Sequence, residues 1–233
     1  MINLQDNDED CIMTFSILAR DPQTGAIGGA AATGSYCVGG WVLRGSLTAG
    51  ISASQGASTS TLWGEDVLAA MQRGQCAAEA VACVTRSDSG RAFRQLAALD
   101  LRGSTGVFTG ARNTPETGSR VFEGGVTAGN MLARADVVDT LAKTFQTTHG
   151  AFSQRLLTAL RAAQTRGGDR RGLFSAALLV LHPDHAPLTL RVDHHPTDPI
   201  GALTDLHRLA TTGDYARWLG HVPVLSDKER GLD

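Results

Sequence analysis

Met13-Thr14 is the pair of neighbours in this sequence with the most chemistry in it. A threonine hydroxyl is a poor nucleophile until a base takes its proton. A threonine at a chain's amino terminus carries that base itself. Its α-amine, with an ordinary pKa of about 7.7–8.0, can accept a proton near neutrality. Residue 14 would reach that state if translation began at Met13, since an initiator Met is readily removed before a small residue. Self-cleavage of the Met13–Thr14 bond is the other route. With residues 1–13 attached, the nitrogen is an amide and accepts no proton. The competing reading is plain: threonine is a common strand residue.

Other residues could assist. Asn130 follows Gly129 and precedes the apolar-periodic stretch that starts at Ala135. A side-chain amide near a helix start could stabilise an oxyanion, and a turn or cap is the alternative. Asp169 sits in a glycine-rich turn and could orient the Thr14 amine by hydrogen bonding. Alternatively, it joins Arg170 and Arg171 in a salt-bridged turn. Ser175 opens the apolar run that follows. Ser54 and Gln55 end a small-residue strand ahead of a polar loop and could line a substrate pocket. Trp63 could wall such a pocket or anchor an alanine-rich core. A rival constellation is His182, His185, Asp193, His194 and His195. A hairpin would gather these side chains, which are of zinc-ligand type, but their spacing matches no strong zinc signature. Neither a metal nor any other cofactor is expected.

The elements that must position these residues follow from periodicity. Residues 1–13 are an acidic extension with Asp6, Asp8, Glu9 and Asp10. Thr14–Ala19 alternates, Asp21–Gly25 is a turn, and Ala26–Thr33 completes a hairpin. Ser46–Ser54 is another small-residue strand. Glu65–Arg73 and Cys76–Arg86 read as helices divided by Gly74. Strands follow at Phe93–Leu99, Gly106–Thr109 and Arg120–Thr127. Ala135–Gln146 and Phe152–Gln164 have helical apolar spacing. Phe174–Leu181 is a buried strand, Leu188–Val192 its neighbour, and helices close the chain near Pro199–Ala210 and Tyr215–Leu219. Helices inserted in pairs do not suit a doubly wound parallel sheet. They suit two antiparallel sheets packed together, with helix pairs outside. No repeat or linker interrupts residues 14–233, which read as one domain.

Composition narrows the functional classes. The chain has 233 residues, 42% apolar, 19% charged, with a net charge of −2. That argues against a nucleic-acid binder resting on positive charge and against disorder. The 27 glycines imply close approach of backbones. No apolar run approaches ~18 residues, so no membrane span is expected. The acidic start does not resemble a secretory signal. Cys11, Cys37, Cys76 and Cys83 lack paired spacing. Free thiols and a cytoplasmic location are the expectation.

Thr14-Phe15-Ser16-Ile17-Leu18-Ala19-Arg20-Asp21-Pro22, with Thr24-Gly25, resembles the opening of the bacterial family called domain of unknown function 1028. Further matches run in order: Ala53-Ser54-Gln55, Phe108-Thr109-Gly110, Gly129-Asn130-Met131-Leu132-Ala133, Gly167 through Gly172, Ser175 through Val180, and Leu190-Arg191-Val192-Asp193. That family is similar to the N-terminal nucleophile hydrolases, among them the proteasome β-subunit and penicillin acylase. The resemblance implies an α+β fold, a four-layer αββα sandwich of two antiparallel sheets flanked by helices. It also implies Thr14 as nucleophile, in a hydrolase acting on a small amide, N-acyl or ureido compound. A proteasome-like lysine partner is not visible. The partner implied is a small-molecule substrate, with neither nucleic acid nor membrane involved, and exposed helix faces would favour a homodimer or higher homo-oligomer. Two alternatives stand beside it. One is a non-catalytic ligand-binding or interaction domain with its amine blocked by residues 1–13. The other is a metal-dependent hydrolase built on the His182–His195 cluster.

Overall fold

A computed structural model describes residues 13–113, 116–167 and 172–232. β1 (Thr14–Arg20) turns at Asp21–Gly25 into β2 (Ile27–Thr33). Asp21 accepts from the Thr24 hydroxyl at 2.7 Å, and Gly25 supplies the positive φ of 77° that the turn requires. α1 (Val38–Trp41) leads to β3 (Leu43–Ser46) and β4 (Gly50–Gln55). The sequence had suggested one strand over Ser46–Ser54. A turn breaks it, because Gly50 at φ 135° lies against the Leu99 carbonyl where no side chain fits.

α2 (Thr61–Gln72) and α3 (Ala77–Arg86) come next, followed by a 3-10 turn at Arg91–Phe93, β5 (Gln95–Asp100) and β6 (Thr105–Thr109). β7 (Glu116–Phe122) and β8 (Gly125–Leu132) form a hairpin through Glu123-Gly124. The expected single strand at Arg120–Thr127 spans that turn. The signal for the turn was Glu123-Gly124-Gly125 between the two apolar stretches, with Gly124 at φ 73°. α4 (Val137–Thr147), α5 (Phe152–Gly167), β9 (Ser175–His182), β10 (His185–Val192), α6 (Pro199–Thr211) and α7 (Gly213–Leu219) complete the chain.

This is a mixed α+β protein with two antiparallel sheets and, among the described residues, seven α-helices. One sheet has the order β10-β9-β2-β1-β8-β7, the other β3-β4-β5-β6. Alternation along each strand sorts side chains to opposite faces. On β1, Phe15, Ile17 and Ala19 join a core with α4, α5 and α6, among them Leu141, Leu156, Leu160 and Leu203. Leu18 points the other way. It meets Ile51, Ala53, Ala97 and Leu99 of the smaller sheet, together with Val126, Ala128 and Ala177. A third core joins Leu96 and Ala98 to Trp63, Val67 and Val81 of α2 and α3. None of the described helices is long and apolar enough to cross a membrane.

Candidate active site

The layer between the sheets is apolar in its middle and polar at one end. The residues that make the polar end continue the same alternation. Thr14 and Ser16 share a face with Leu18, Thr33 with Ala31, Asn130 with Ala128, Gln55 with Ala53, and Gln95 with Ala97. Register brings them together, since Thr14 stands opposite Thr33 on β2 and opposite Asn130 on β8. All six are buried.

Two chains of hydrogen bonds meet at Thr14. The Thr14 and Thr33 hydroxyls are 2.9 Å apart, and the Thr33 hydroxyl donates to the Met13 carbonyl at 2.9 Å. With its proton so placed, Thr33 accepts the proton of Thr14. The Gly34 amide also donates to the Met13 carbonyl, at 3.1 Å. That oxygen is therefore held by two donors. On the other side, the Ser16 hydroxyl donates to Gln55 Oε1 at 2.7 Å. Gln55 Nε2 donates to Gln95 Oε1 at 2.8 Å, and more weakly to the Thr14 carbonyl at 3.4 Å and Asn130 Oδ1 at 3.5 Å. Gln95 Nε2 in turn donates to the Thr109 hydroxyl and to the Gly118 and Gly129 carbonyls. Within this cluster one polar atom lacks a partner: Asn130 Nδ2 is buried and donates to nothing among the described residues. A buried amide N–H normally finds an acceptor, so Asn130 is ready to meet one.

Asn130 is a strand residue, not the turn or helix-start residue its neighbours had suggested. Asn130 and Met131 together stand opposite the single Thr117 of β7, between the pairs Glu116–Leu132 and Gly118–Gly129. This is a β-bulge, the device by which strands re-aim side chains. Met131 carries its strain, with φ at 51°, where non-glycine residues are uncommon.

The other expected site residues disperse. Ser54 faces α2, where its hydroxyl donates to the Ser60 carbonyl at 2.7 Å. It neighbours Gln55 in sequence and so lies on the opposite face of β4. Trp63 is buried in the third core, edge-on to Phe108 at 5.8 Å, with the four-stranded sheet between it and Thr14. Ser175 pairs with Thr33 across β9 and β2. Its hydroxyl donates to the Ser35 carbonyl at 2.8 Å and accepts from the Val38 amide at 3.1 Å. It thus fixes the loop that leaves β2. Asp169 lies outside the described residues, as do Arg170 and Arg171.

The histidine constellation separates. His182 and His185 flank the β9–β10 turn, but β10 then runs from His185 to Val192 before Asp193 is reached. Seven residue steps of extended chain put roughly 23 Å between the two groups. His195 instead accepts from the Asp198 amide at 2.8 Å, beside α6, and His194 packs on Tyr36. Among the described residues no group of three metal-ligating side chains forms.

Sequence reasoning did not place Thr33, Ser16, Gln95 or Gly34 beside Thr14. Each sits in a strand or its exit and looks like ordinary strand chemistry. The available signal was parity, since each polar residue falls on the face that its apolar neighbours turn toward the second sheet. Among the described residues the shifted titratable groups lie elsewhere. Hydrogen bonds from Arg134 and Arg166 lower the Asp136 carboxyl, one from Arg161 lowers Asp198, and burial lowers His207.

Paired antiparallel sheets with a buried, uncharged polar cluster between them define the class of protein. The particular family follows from comparison: the chain belongs to the family of unknown function DUF1028, whose model matches residues 14–203. It is similar to the crystal structure of protein SPO2555 from Silicibacter pomeroyi, which carries the same family model. The two are 58% identical over 95% of this chain and 96% of that one, with a TM-score of 0.92. No curated protein matches.

Proposed function

We propose that this chain is an N-terminal-nucleophile-type amidohydrolase, a four-layer αββα sandwich that cleaves a small amide, N-acyl or ureido compound with Thr14 as nucleophile. One observation carries the reading. Thr14 sits in a buried cluster whose hydrogen-bonding partners among the described residues are all neutral. Among the described residues its hydroxyl bonds only to Thr33, and none of them supplies it with a side-chain base. The one base that geometry cannot misplace is the α-amine of residue 14 itself. The family match begins at that same residue.

Exposing the amine requires the Met13–Thr14 bond to go. The Thr33 hydroxyl and Gly34 amide that hold the Met13 oxygen are also placed to stabilise charge on it during attack by the Thr14 hydroxyl. Thr33 can take the proton of Thr14 while giving its own to that oxygen. The C–N bond then breaks as the nitrogen gains a proton, leaving an ester that water cleaves. Afterwards the same two donors are free. A substrate carbonyl placed where the Met13 carbonyl had been meets them, with Asn130 Nδ2 nearby. The Thr14 amine takes the hydroxyl proton, an acyl ester forms, the amine or ammonia leaves with the proton, and water releases the acid. The reaction uses a small-molecule substrate in the cytoplasm and no cofactor.

A specific observation favours a second reading, that of a ligand-binding domain with residues 1–13 retained. Met13 is buried and its carbonyl is fully engaged. Intact mass of the protein made from its natural promoter separates the two. A chain starting at Thr14 supports the hydrolase. A chain that keeps Met13 leaves no base and ends it. A panel of amides and ureides against a chain initiated at Met13 then identifies the substrate class.

A further inference from the structure

At the far end of the β1–β2 hairpin from Thr14, a cavity of about 430 Å³ opens between the hairpin turn, the start of α5 and the β9–β10 turn. Phe152, Val180 and Leu188 give it apolar walls, and no charged carboxylate, lysine or arginine lines it. His182 is fully committed. Its Nε2 lies 3.0 Å from the Thr24 carbonyl, and its Nδ1 accepts from the Asp184 amide at 3.0 Å. Its ring packs on His185 at 4.6 Å between centroids, so it serves as wall. The reactive feature is Ser153, which lines the cavity near the start of α5. Behind it, on α6, His207 is 5% exposed, and its Nε2 lies 2.8 Å from Ser153 Oγ. A serine on a cavity wall with a buried imidazole at hydrogen-bond distance has the first two parts of an activated nucleophile. The helix supplies a third. The first amide groups of α5 have no acceptor within the helix, and a helix N-terminus favours negative charge near it.

We propose that Ser153, with His207 as its base, is a second nucleophile that takes short, uncharged carboxylic esters from this cavity. Ser153 Oγ bonds to the acyl carbon while its proton passes to His207 Nε2. The alcohol leaves with that proton. Water, deprotonated in the same way, cleaves the acyl-serine and returns the enzyme. An alkyl fluorophosphonate is the probe, since it arrests at the first step with loss of fluoride.

The full chain is incubated with this probe and the adduct mapped by peptide mass, and p-nitrophenyl butyrate hydrolysis is followed in parallel. The expected result is one adduct, on Ser153, with ester turnover abolished in Ser153→Ala. His207→Gln is expected to slow labelling by about 10²-fold or more. If His207→Gln fails to fold, the Ser153→Ala comparison decides alone. An adduct on Thr14 or elsewhere, no adduct, or undiminished labelling in folded His207→Gln overturns the proposal. Mapping keeps this outcome separate from that of the Thr14 reading.

Discussion

Thr33 is the residue on which the proposed chemistry most depends, because its hydroxyl bonds both Thr14 and the Met13 carbonyl. Thr33→Val keeps the shape and removes both bonds. Loss of one such donor typically costs about 10²–10³-fold in rate. Release of residues 1–13, followed by mass against time, should slow by about that factor while the fold persists. Thr14→Ala should abolish both that release and substrate turnover, with circular dichroism unchanged. The sequence could single out Thr14, because Met13-Thr14 has a meaning of its own, but not its contact with Thr33, which exists only through the register of β2 on β1. Gln55 was chosen for the wrong partner: the sequence paired it with Ser54, whereas alternation pairs it with Ser16 and Gln95. Gln55→Leu strands the Ser16 hydroxyl and the Gln95 carbonyl oxygen. That should cost about 1–3 kcal/mol for each buried group left unpaired, read from urea unfolding.

Helices with long apolar periods, such as α4 and α5, were readable within a few residues, because a stripe of Val137, Val138, Leu141 and Phe145 has no other use. The strands were harder. This protein builds them from Gly, Ala and Ser, so a hairpin such as β3–β4 merges into a single run by pattern. The bulge at Asn130 and Met131 had no local signature, since it exists only against Thr117. The glycines that space the elements were countable but not assignable. Gly106 shows why: a methyl group there would lie 2.4 Å from the Ala77 carbonyl of α3. Gly106→Ala must push α3 off β6, at a cost of about 1–3 kcal/mol. Thermal unfolding should fall by roughly 2–4 °C for each kcal/mol lost.

Across the whole molecule, α6 is fastened to α5 by two contacts that answer to acid at different pH. Burial lowers the His207 pKa from its ordinary 6.5, so the folded chain favours the neutral ring. The unfolded chain binds a proton first. The stability from this group is therefore intact above 6.5 and drains away as pH falls through the folded-state value. Arg161 lowers Asp198 from 3.8, so that contact fails only at lower pH, as the carboxylate is protonated. Melting temperature should fall in two stages on acidification, and His207→Gln should lack the first. At this scale the sequence showed the pairing of sheets and helices but not that α6 closes over α5. The grip on the Met13 oxygen has a consequence in time. It comes from Thr33, 20 residues downstream, whereas Gln55 and Asn130, the next members of the cluster, are 75 residues apart. During synthesis the scissile bond can be clasped early, yet the strand bearing Asn130 arrives much later. On the proposed mechanism the cut needs only Thr14, Thr33 and Gly34, so a truncated product would lose residues 1–13 yet still lack Asn130.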